Sequence, residues 1–191
     1  MINQTKQLFE TFYASTYHRA RVVKDKAFKD VVGEEYEIMR KAFYNNLGLS
    51  AKKEKIGNYD ADLVVRDKNG KIIIIEEDKG HYVDSCFFKR FLCNAAEVIN
   101  QCIQNNEPVP YIVLSCPTKM GNYQKTYDYS SKLFRADIKK HMDLKIVYLP
   151  YCEHGRCDRK AYYKTTTNCF NISDTLIANQ LNLVEKAKRG V

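Results

Sequence analysis

The chain has 191 residues, 45% of them hydrophobic, which fits one domain with a substantial core. No apolar run approaches the ~20 residues that span a bilayer, and residues 1–6 lack the layout of a signal peptide, so we expect no membrane partner and a cytoplasmic, intracellular location. Seven scattered cysteines argue against a disulfide framework. A formal net charge of +8 favours a polyanionic partner, because cations that neutralise phosphates release condensed counterions.

Helical and strand patterns alternate in the first half of the chain. Apolar residues at helical spacing predict helices over about 3–20, 31–47 and 85–104, and Asp84 is a suitable cap for the third. Between the second and third helices, two apolar runs are joined by Asp67-Lys68-Asn69-Gly70. Because an Asn-Gly step between apolar runs is a strong hairpin signal, we expect two antiparallel strands here.

The second half continues the alternation. Residues 111–115 form an apolar run that predicts a buried strand at the centre of a mixed sheet. Apolar spacing over 127–138 predicts a further helix, and residues 144–149 predict a last strand. Residues 150–191 are less readable. Strands that alternate with helices favour an α/β fold.

Charged residues stand at the edge of the predicted hairpin: Asp62 in its first strand, and Glu77 and Lys79 at the end of the second. Side chains two apart in a strand share a face, so Glu77 and Lys79 point the same way and Asp78 the opposite way. Strand pairing can then bring Asp62 alongside Glu77. Two carboxylates beside a lysine suit metal-assisted cleavage of a phosphodiester. Glu76, on the opposite face, is interpreted as structural or as a surface charge.

The acid-x-lysine pattern recurs in this chain and is weak by itself. It occurs four times, at Glu77, Asp137, Asp143 and Asp158. Only Glu77 closes an apolar run with a strand aspartate 15 positions earlier. Taken without the order of elements, a surface salt bridge between Lys79 and Asp62 would be the favoured interpretation, since such pairs are common and contribute little.

With that order, Asp62 and Glu77-x-Lys79 resemble the PD-(D/E)XK nuclease superfamily, the restriction-endonuclease-like fold, and most of all its type II restriction endonucleases. Family members have a helix, a three-strand meander carrying Asp and then Glu-x-Lys, a helix, a fourth strand, and usually a further helix and strand. The resemblance covers about residues 31–149. Ala61 departs from the proline that usually precedes the aspartate, although many members lack it. The resemblance implies one nuclease domain over 1–191, with a restriction-endonuclease-like core whose central mixed four- to five-stranded sheet is flanked by helices.

The resemblance also assigns roles to the hairpin residues. It implies that Asp62, Glu77 and the main-chain carbonyl of Asp78 bind Mg²⁺, for which Mn²⁺ can substitute. Lys79 would orient or activate the attacking water and hold the attacked phosphate. Two points stay open: whether Lys79 acts as a base or as an electrostatic clamp, and whether one or two ions bind.

Further candidates lie around this centre. Glu35, on the second helix, is a candidate extra metal ligand, with stabilisation of the helix dipole as the alternative. Asp60 is a same-face alternative to Asp62. Lys89 and Arg90, on the helix after the motif, are candidate phosphate contacts. Cations of the carboxy-terminal segment are candidate groove or phosphate contacts, namely Arg156, Arg159 and Lys160.

The same segment holds four soft metal ligands. Cys152, His154, Cys157 and Cys169 carry the donor atoms of a structural zinc site. Their spacing contains no paired C-x2-C knuckle, so a loop with partly buried thiols is the favoured interpretation and structural Zn²⁺ is the alternative.

The function that the resemblance implies is metal-dependent hydrolysis of double-stranded DNA, by a sequence-specific type II restriction enzyme. A small enzyme that cuts both strands acts most simply as a symmetric homodimer, with the helix at 3–20 and the segment 150–191 as candidates for DNA recognition or dimerisation. Two alternatives stay open: a structure-selective nuclease, such as a junction resolvase or repair nuclease, and a non-catalytic DNA-binding protein with the same fold. The intact Asp62, Glu77 and Lys79 argue against the last.

Overall fold

The structure, a computed structural model, describes residues 1–22, 27–80, 83–116, 123–148 and 172–190. The helices in these ranges are α1 (Ile2–Val22), α2 (Ala27–Asn46), α3 (Ser85–Gln104), α4 (Tyr123–Ser130), α5 (Ala136–Lys139) and α6 (Asp174–Arg189). The strands are β1 (Ser50–Ile56), β2 (Tyr59–Arg66), β3 (Ile72–Asp78), β4 (Tyr111–Cys116) and β5 (Leu144–Tyr148). Among the described helices, none is long and apolar enough to cross a membrane.

The five strands form one mixed sheet in the order β1-β2-β3-β4-β5. β1, β2 and β3 are antiparallel neighbours, and β4 and β5 continue the sheet parallel to β3. Because parallel neighbours need a crossover connection, the chain passes through α3 between β3 and β4. The expected α/β fold, a mixed sheet of up to five strands flanked by helices, is confirmed at this level.

The predicted β2–β3 hairpin is confirmed, but its turn has a different geometry from a two-residue Asn-Gly turn. The side chain of Asp67 accepts hydrogen bonds from the main-chain N–H of Asn69 at 2.8 Å and of Lys71 at 3.0 Å. Gly70 has a φ of +81°, whereas Asn69 is not among the residues with positive φ. A two-residue turn would need positive φ at both positions, so Asp67 and Gly70 are what close this longer turn.

Each face of the sheet has its own core. On one face, Phe9 of α1 and Ile177 of α6 belong to a cluster that includes Ile74 of β3. On the other, Phe91 of α3 packs in a cluster that includes Ile75. Burial of a large apolar side chain stabilises a fold by roughly 1.5–3 kcal/mol. Since β3 is covered on both sides, any polar residue in its interior must find its partners within the protein.

The predicted helix over 127–138 is wrong as a single element. α4 ends at Ser130, a short 3-10 turn spans Ser131–Leu133, and α5 begins at Ala136. The Ser131 hydroxyl donates to the main-chain carbonyl of Asp128 at 3.3 Å, a side-chain bond of the kind that competes with helical hydrogen bonds. The apolar residues do recur at helical spacing, but they belong to three short helical segments and not to one helix.

The carboxy-terminal helix α6 was not predicted, although the sequence carries its boundary signals. Ser173 is its N-cap and accepts a hydrogen bond from the main-chain N–H of Leu176 at 3.3 Å. Gly190 follows its last residue with a φ of +69°, the left-handed conformation common after helices. A serine and a glycine at this separation, flanking apolar residues, are the pattern that would have identified α6.

The N-cap of α3 is where the sequence prediction and the structure agree most closely. Asp84 Oδ1 accepts a hydrogen bond from the main-chain N–H of Phe87 at 2.7 Å. We expect Asp84→Ala to lower the free energy of unfolding by about 1 kcal/mol, because one helix donor loses its partner. Urea unfolding of this variant beside Asp128→Ala, in the exposed interior of α4, measures the effect. Equal losses for the two variants would contradict a capping role.

Candidate active site

Asp62 lies at a β-bulge in β2. The register of β1 against β2 shifts between Lys52 and Glu54, so that Asp62 and Leu63 together lie opposite Lys53. A bulge of this kind bends the strand and re-aims the side chains at it. Its effect is visible in the core, because Leu63 packs on the α2 face of the sheet while Ala61 packs on the α3 face. Strict alternation would have placed both on one face.

The Asp62 carboxylate is held from two sides. Its Oδ2 accepts a hydrogen bond from the main-chain N–H of Asp78 at 2.9 Å, and its Oδ1 lies 3.7 Å from Lys53 Nζ. The side chain is 16% exposed. Burial raises the pKa of Asp62 above its ordinary value, opposed by the Asp78 hydrogen bond and by the charges of Lys53 and Lys79.

Glu77 is the neighbouring carboxyl on β3. Leu63 pairs with Glu76, and the next position along both strands brings Asp62 to Glu77. Burial raises the pKa of Glu77 to about 7, and the charge of Asp62 acts in the same direction. The Tyr59 hydroxyl donates a hydrogen bond to Glu77 Oε2 and partly offsets the shift. Two partly buried carboxyls therefore interact directly at this site.

Lys79 follows β3 and lies against α3. Its Nζ lies 4.2 Å from the centroid of the Phe87 ring, and the guanidinium of Arg90 lies 5.4 Å from the same ring. Both cations lower the pKa of Glu77. The predicted shared face of Glu77 and Lys79 thus corresponds to the α3 side of the sheet, where Phe87 supports the lysine by a cation–π contact.

The main chain of Asp78 faces Asp62. The N–H of Lys79 donates to the Ser115 carbonyl of β4 at 2.9 Å. Because main-chain groups point alternately to the two neighbouring strands, those of Asp78 point toward β2, as its hydrogen bond to Asp62 requires. The Asp78 carbonyl therefore lies on the same edge of β3 as the Asp62 carboxylate.

A buried ion pair lies directly behind the site. Arg40 of α2 donates to both carboxylate oxygens of Glu76, at 2.6 Å and 2.8 Å, and both side chains are fully buried. The Tyr44 hydroxyl also donates to Glu76, and Arg40 donates to Gln180 of α6 at 3.0 Å. Of the two interpretations offered for Glu76, a structural charge is therefore right and a surface charge is wrong, because β3 is covered on both faces.

The Asp78 side chain points toward this buried pair and away from Glu77. It is 5% exposed. Burial raises the pKa of its carboxyl well above the usual range, and the charge of Glu76 adds to the shift while Arg40 opposes it. Because the Asp78 side chain is turned toward Glu76, Asp62 and Glu77 are the acidic side chains of the β2–β3 hairpin edge that can bind a cation.

The remaining predicted residues lie further out. Asp60 is exposed and has Lys55 as its strand partner. Glu35 is half-buried, and a different acid of α2, Glu37, interacts with Asp62. Lys89 is exposed on α3, one residue before Arg90. The carboxy-terminal candidates lie outside the described residues, namely Arg156, Arg159, Lys160, Cys152, His154, Cys157 and Cys169.

Several contributors were missed by sequence reasoning, namely Glu37, Arg40, Lys53, Tyr59 and Phe87. Arg40 carried a signal, since a cation beside Met39 and Phe43 on an apolar helix face needs a buried acidic partner. Lys53 and Glu37 carried none, because their meeting with Asp62 depends on the bulge.

The available donors fit Mg²⁺ better than a metal that needs a complete side-chain cage. In the described ranges, no three or more His, Cys, Asp or Glu side chains are grouped to hold a metal ion. The site offers two carboxylates and one main-chain carbonyl, all oxygen. Mg²⁺ is commonly held by one or two carboxylates and keeps several waters, whereas structural Zn²⁺ takes four ligands rich in nitrogen and sulfur. A cation would also relieve the repulsion between Asp62 and Glu77.

Comparison with known proteins supplies no relative from which residues or activity could be transferred. No protein-family model, curated protein or solved structure matches this chain.

Proposed function

We propose that this protein is a Mg²⁺-dependent endonuclease of the PD-(D/E)XK type that hydrolyses phosphodiester bonds of double-stranded DNA. The observation that carries the proposal is the pair of interacting, partly buried carboxyls, Asp62 and Glu77, with the Lys79 ammonium beside them. Support also comes from the order of elements, α2-β1-β2-β3-α3-β4. It is the order of helix, three-strand meander, helix and strand that the resemblance to this family implies.

Each residue of the site has its own role in the proposed hydrolysis. Asp62, Glu77 and the Asp78 carbonyl would hold the ion, and the Asp78 N–H fixes the orientation of Asp62. When bound, Mg²⁺ lowers the pKa of a water and stabilises charge on the phosphate. Lys79, supported by Phe87, orients the attacking water and neutralises negative charge on the attacked phosphate. Tyr59 donates a hydrogen bond to one oxygen of Glu77, so the other oxygen would be the one available to the ion.

The proposed substrate class follows from charge and from the type of enzyme that the motif resembles. A net charge of +8 favours a nucleic-acid backbone. Cleavage of both strands by so small an enzyme is simplest for a symmetric homodimer on a palindromic site, as in type II restriction. We extend the proposal to this form.

Incubation of the purified protein with plasmid DNA and Mg²⁺ tests the proposal. We expect discrete fragments, no cleavage in excess EDTA, and recovery of cleavage with Mn²⁺. Cleavage confined to branched or damaged DNA would replace the restriction role by a structure-selective one. Binding without cleavage of any DNA would contradict the nuclease proposal.

Ion binding should be linked to proton release at Glu77. Its pKa of about 7 in the metal-free protein lies above the ordinary value of 4.5, so the group is protonated at slightly acid pH and an ion must displace that proton. We expect Mg²⁺ affinity to rise as the pH rises to about 7 and to level off above it. Calorimetry in two buffers of different ionisation enthalpy should detect about one proton released per ion near pH 6 and almost none near pH 8. Proton release that is independent of pH would contradict this assignment.

A further inference from the structure

The ammonium group of Lys53 is a second positive charge at the proposed active site, in addition to that of Lys79. Its Nζ lies 3.7 Å from Asp62 Oδ1 and 3.7 Å from Glu37 Oε2. The side chain is 66% exposed, so the ammonium can reach both the carboxylates and an incoming substrate. The position is a product of the β-bulge, which sets Asp62 and Leu63 opposite Lys53.

The two lysines approach Asp62 from opposite faces of the sheet. Lys79 rests on Phe87 of α3, on one face. Lys53 is paired with Glu37 of α2, on the other face. Both ammonium groups are close enough to Asp62 to interact electrostatically with its carboxylate. The carboxylate that would hold the ion is therefore flanked by one cation on each side.

This arrangement matches the needs of in-line displacement at phosphorus. The attacking and departing oxygens lie on opposite sides of the phosphorus, and both develop charge that must be stabilised. In two-metal sites, a second ion stabilises the departing oxygen. Here the space between the Glu37 and Asp62 carboxylates holds the Lys53 ammonium group.

We propose that Lys53 does the work of a second metal ion: it stabilises and protonates the departing oxygen, and the site takes one divalent ion. The inference rests on the proposed nuclease function. In the step, a water oxygen forms a bond to phosphorus and releases one proton to solvent. The bond from phosphorus to the departing oxygen breaks, that oxygen keeps the electron pair and takes a proton from Lys53, and Lys53 regains a proton from solvent. Glu37 is the positioning residue for Lys53.

A substrate with sulfur in place of the departing bridging oxygen tests this role, because a thiolate leaves without needing a proton. With Mn²⁺ as the ion, Lys53→Met should lower the cleavage rate of normal DNA about a hundredfold and that of the sulfur substrate less than about threefold. Lys79→Met, on the water side, should slow both substrates. Lys52→Met, the adjacent exposed lysine of β1, is the matched control and should change neither rate. Equal loss on both substrates for Lys53→Met, or no loss on normal DNA, would overturn the role.

Counting bound ions gives a readout that does not depend on cleavage. Calorimetry with Mn²⁺ should give one ion per wild-type chain and a second ion in Lys53→Met, because Glu37 and Asp62 are then free of the ammonium. Two ions in the wild type would overturn the inference while leaving the nuclease proposal intact. No bound ion in the wild type, together with no cleavage, would overturn the proposed function and this inference with it.

Discussion

If the protein is the proposed Mg²⁺-dependent nuclease, Glu77→Gln is expected to lower the rate of DNA cleavage at least about a hundredfold, because the ion would lose one of its two proposed carboxylate ligands. The variant should remain folded. Glutamine has the shape of glutamate, and its neutral amide removes both the cost of burying a charge and the repulsion from Asp62 that raises the Glu77 pKa. The temperature of unfolding of the metal-free protein should therefore be unchanged or higher, which separates loss of activity from loss of structure.

Three measurements make this result decisive. Glu185→Gln, which removes an exposed carboxylate of α6 paired with Lys188, is the matched control and should cleave at the wild-type rate. Calorimetry should show loss of Mg²⁺ affinity in Glu77→Gln. Lys79→Met should instead keep the affinity for the ion and lose rate, because the role proposed for the lysine is to act on water and phosphate. Normal cleavage by Glu77→Gln would mean that the site has been assigned to the wrong carboxyl.

Arg40→Met is expected to lower the free energy of unfolding by roughly 3–5 kcal/mol, the largest effect on stability that we predict. Arg40 and Glu76 are fully buried, and Arg40 donates to both oxygens of the carboxylate. Removing the guanidinium leaves the buried Glu76 carboxylate without its ion-pair partner, and an unpaired buried acid is costly. Urea unfolding near neutral pH, without added metal, measures the loss.

The paired variants of this experiment identify the cause. Adding Glu76→Gln to Arg40→Met should restore much of the lost stability, because no unpaired charge then remains. Arg66→Met is the matched surface control: its pair with Glu54 is about one-third exposed at both ends and should contribute no more than about 1 kcal/mol. A loss in Arg40→Met as small as that of Arg66→Met would show that the buried pair contributes little.

The buried pair also bears on the proposed chemistry through its position in β3. Glu76 precedes Glu77, and the same strand carries Asp78, whose N–H orients Asp62. Arg40 of α2 binds both Glu76 and Gln180 of α6. These contacts fix the position of the end of β3 relative to the two helices. Catalytic groups need a rigid support of this kind, because small displacements are costly for rate.

Much of the fold could be predicted because its signals are local. The cap at Asp84, the apolar stripe of α3 and the hairpin between β2 and β3 each depend on residues that are close together in the sequence. The prediction of a single helix over 127–138 was wrong because apolar spacing alone does not reveal the break between α4 and α5. α6 was missed although Ser173 and Gly190 marked its ends.

The sequence by itself determined the α/β alternation, the hairpin, and the shared face of Glu77 and Lys79, because these follow from the period of the backbone. Only the tertiary structure decided how Asp62 is aimed and which charges surround it. Strand register shifts by one residue at the bulge, and no periodic pattern encodes such a shift. Arg40 and Glu76 lie 36 positions apart, and Lys53 meets Glu37 and Asp62 only after three elements have packed. Such contacts depend on how distant segments fold together. The role proposed for Lys53 therefore could be inferred only from the tertiary structure.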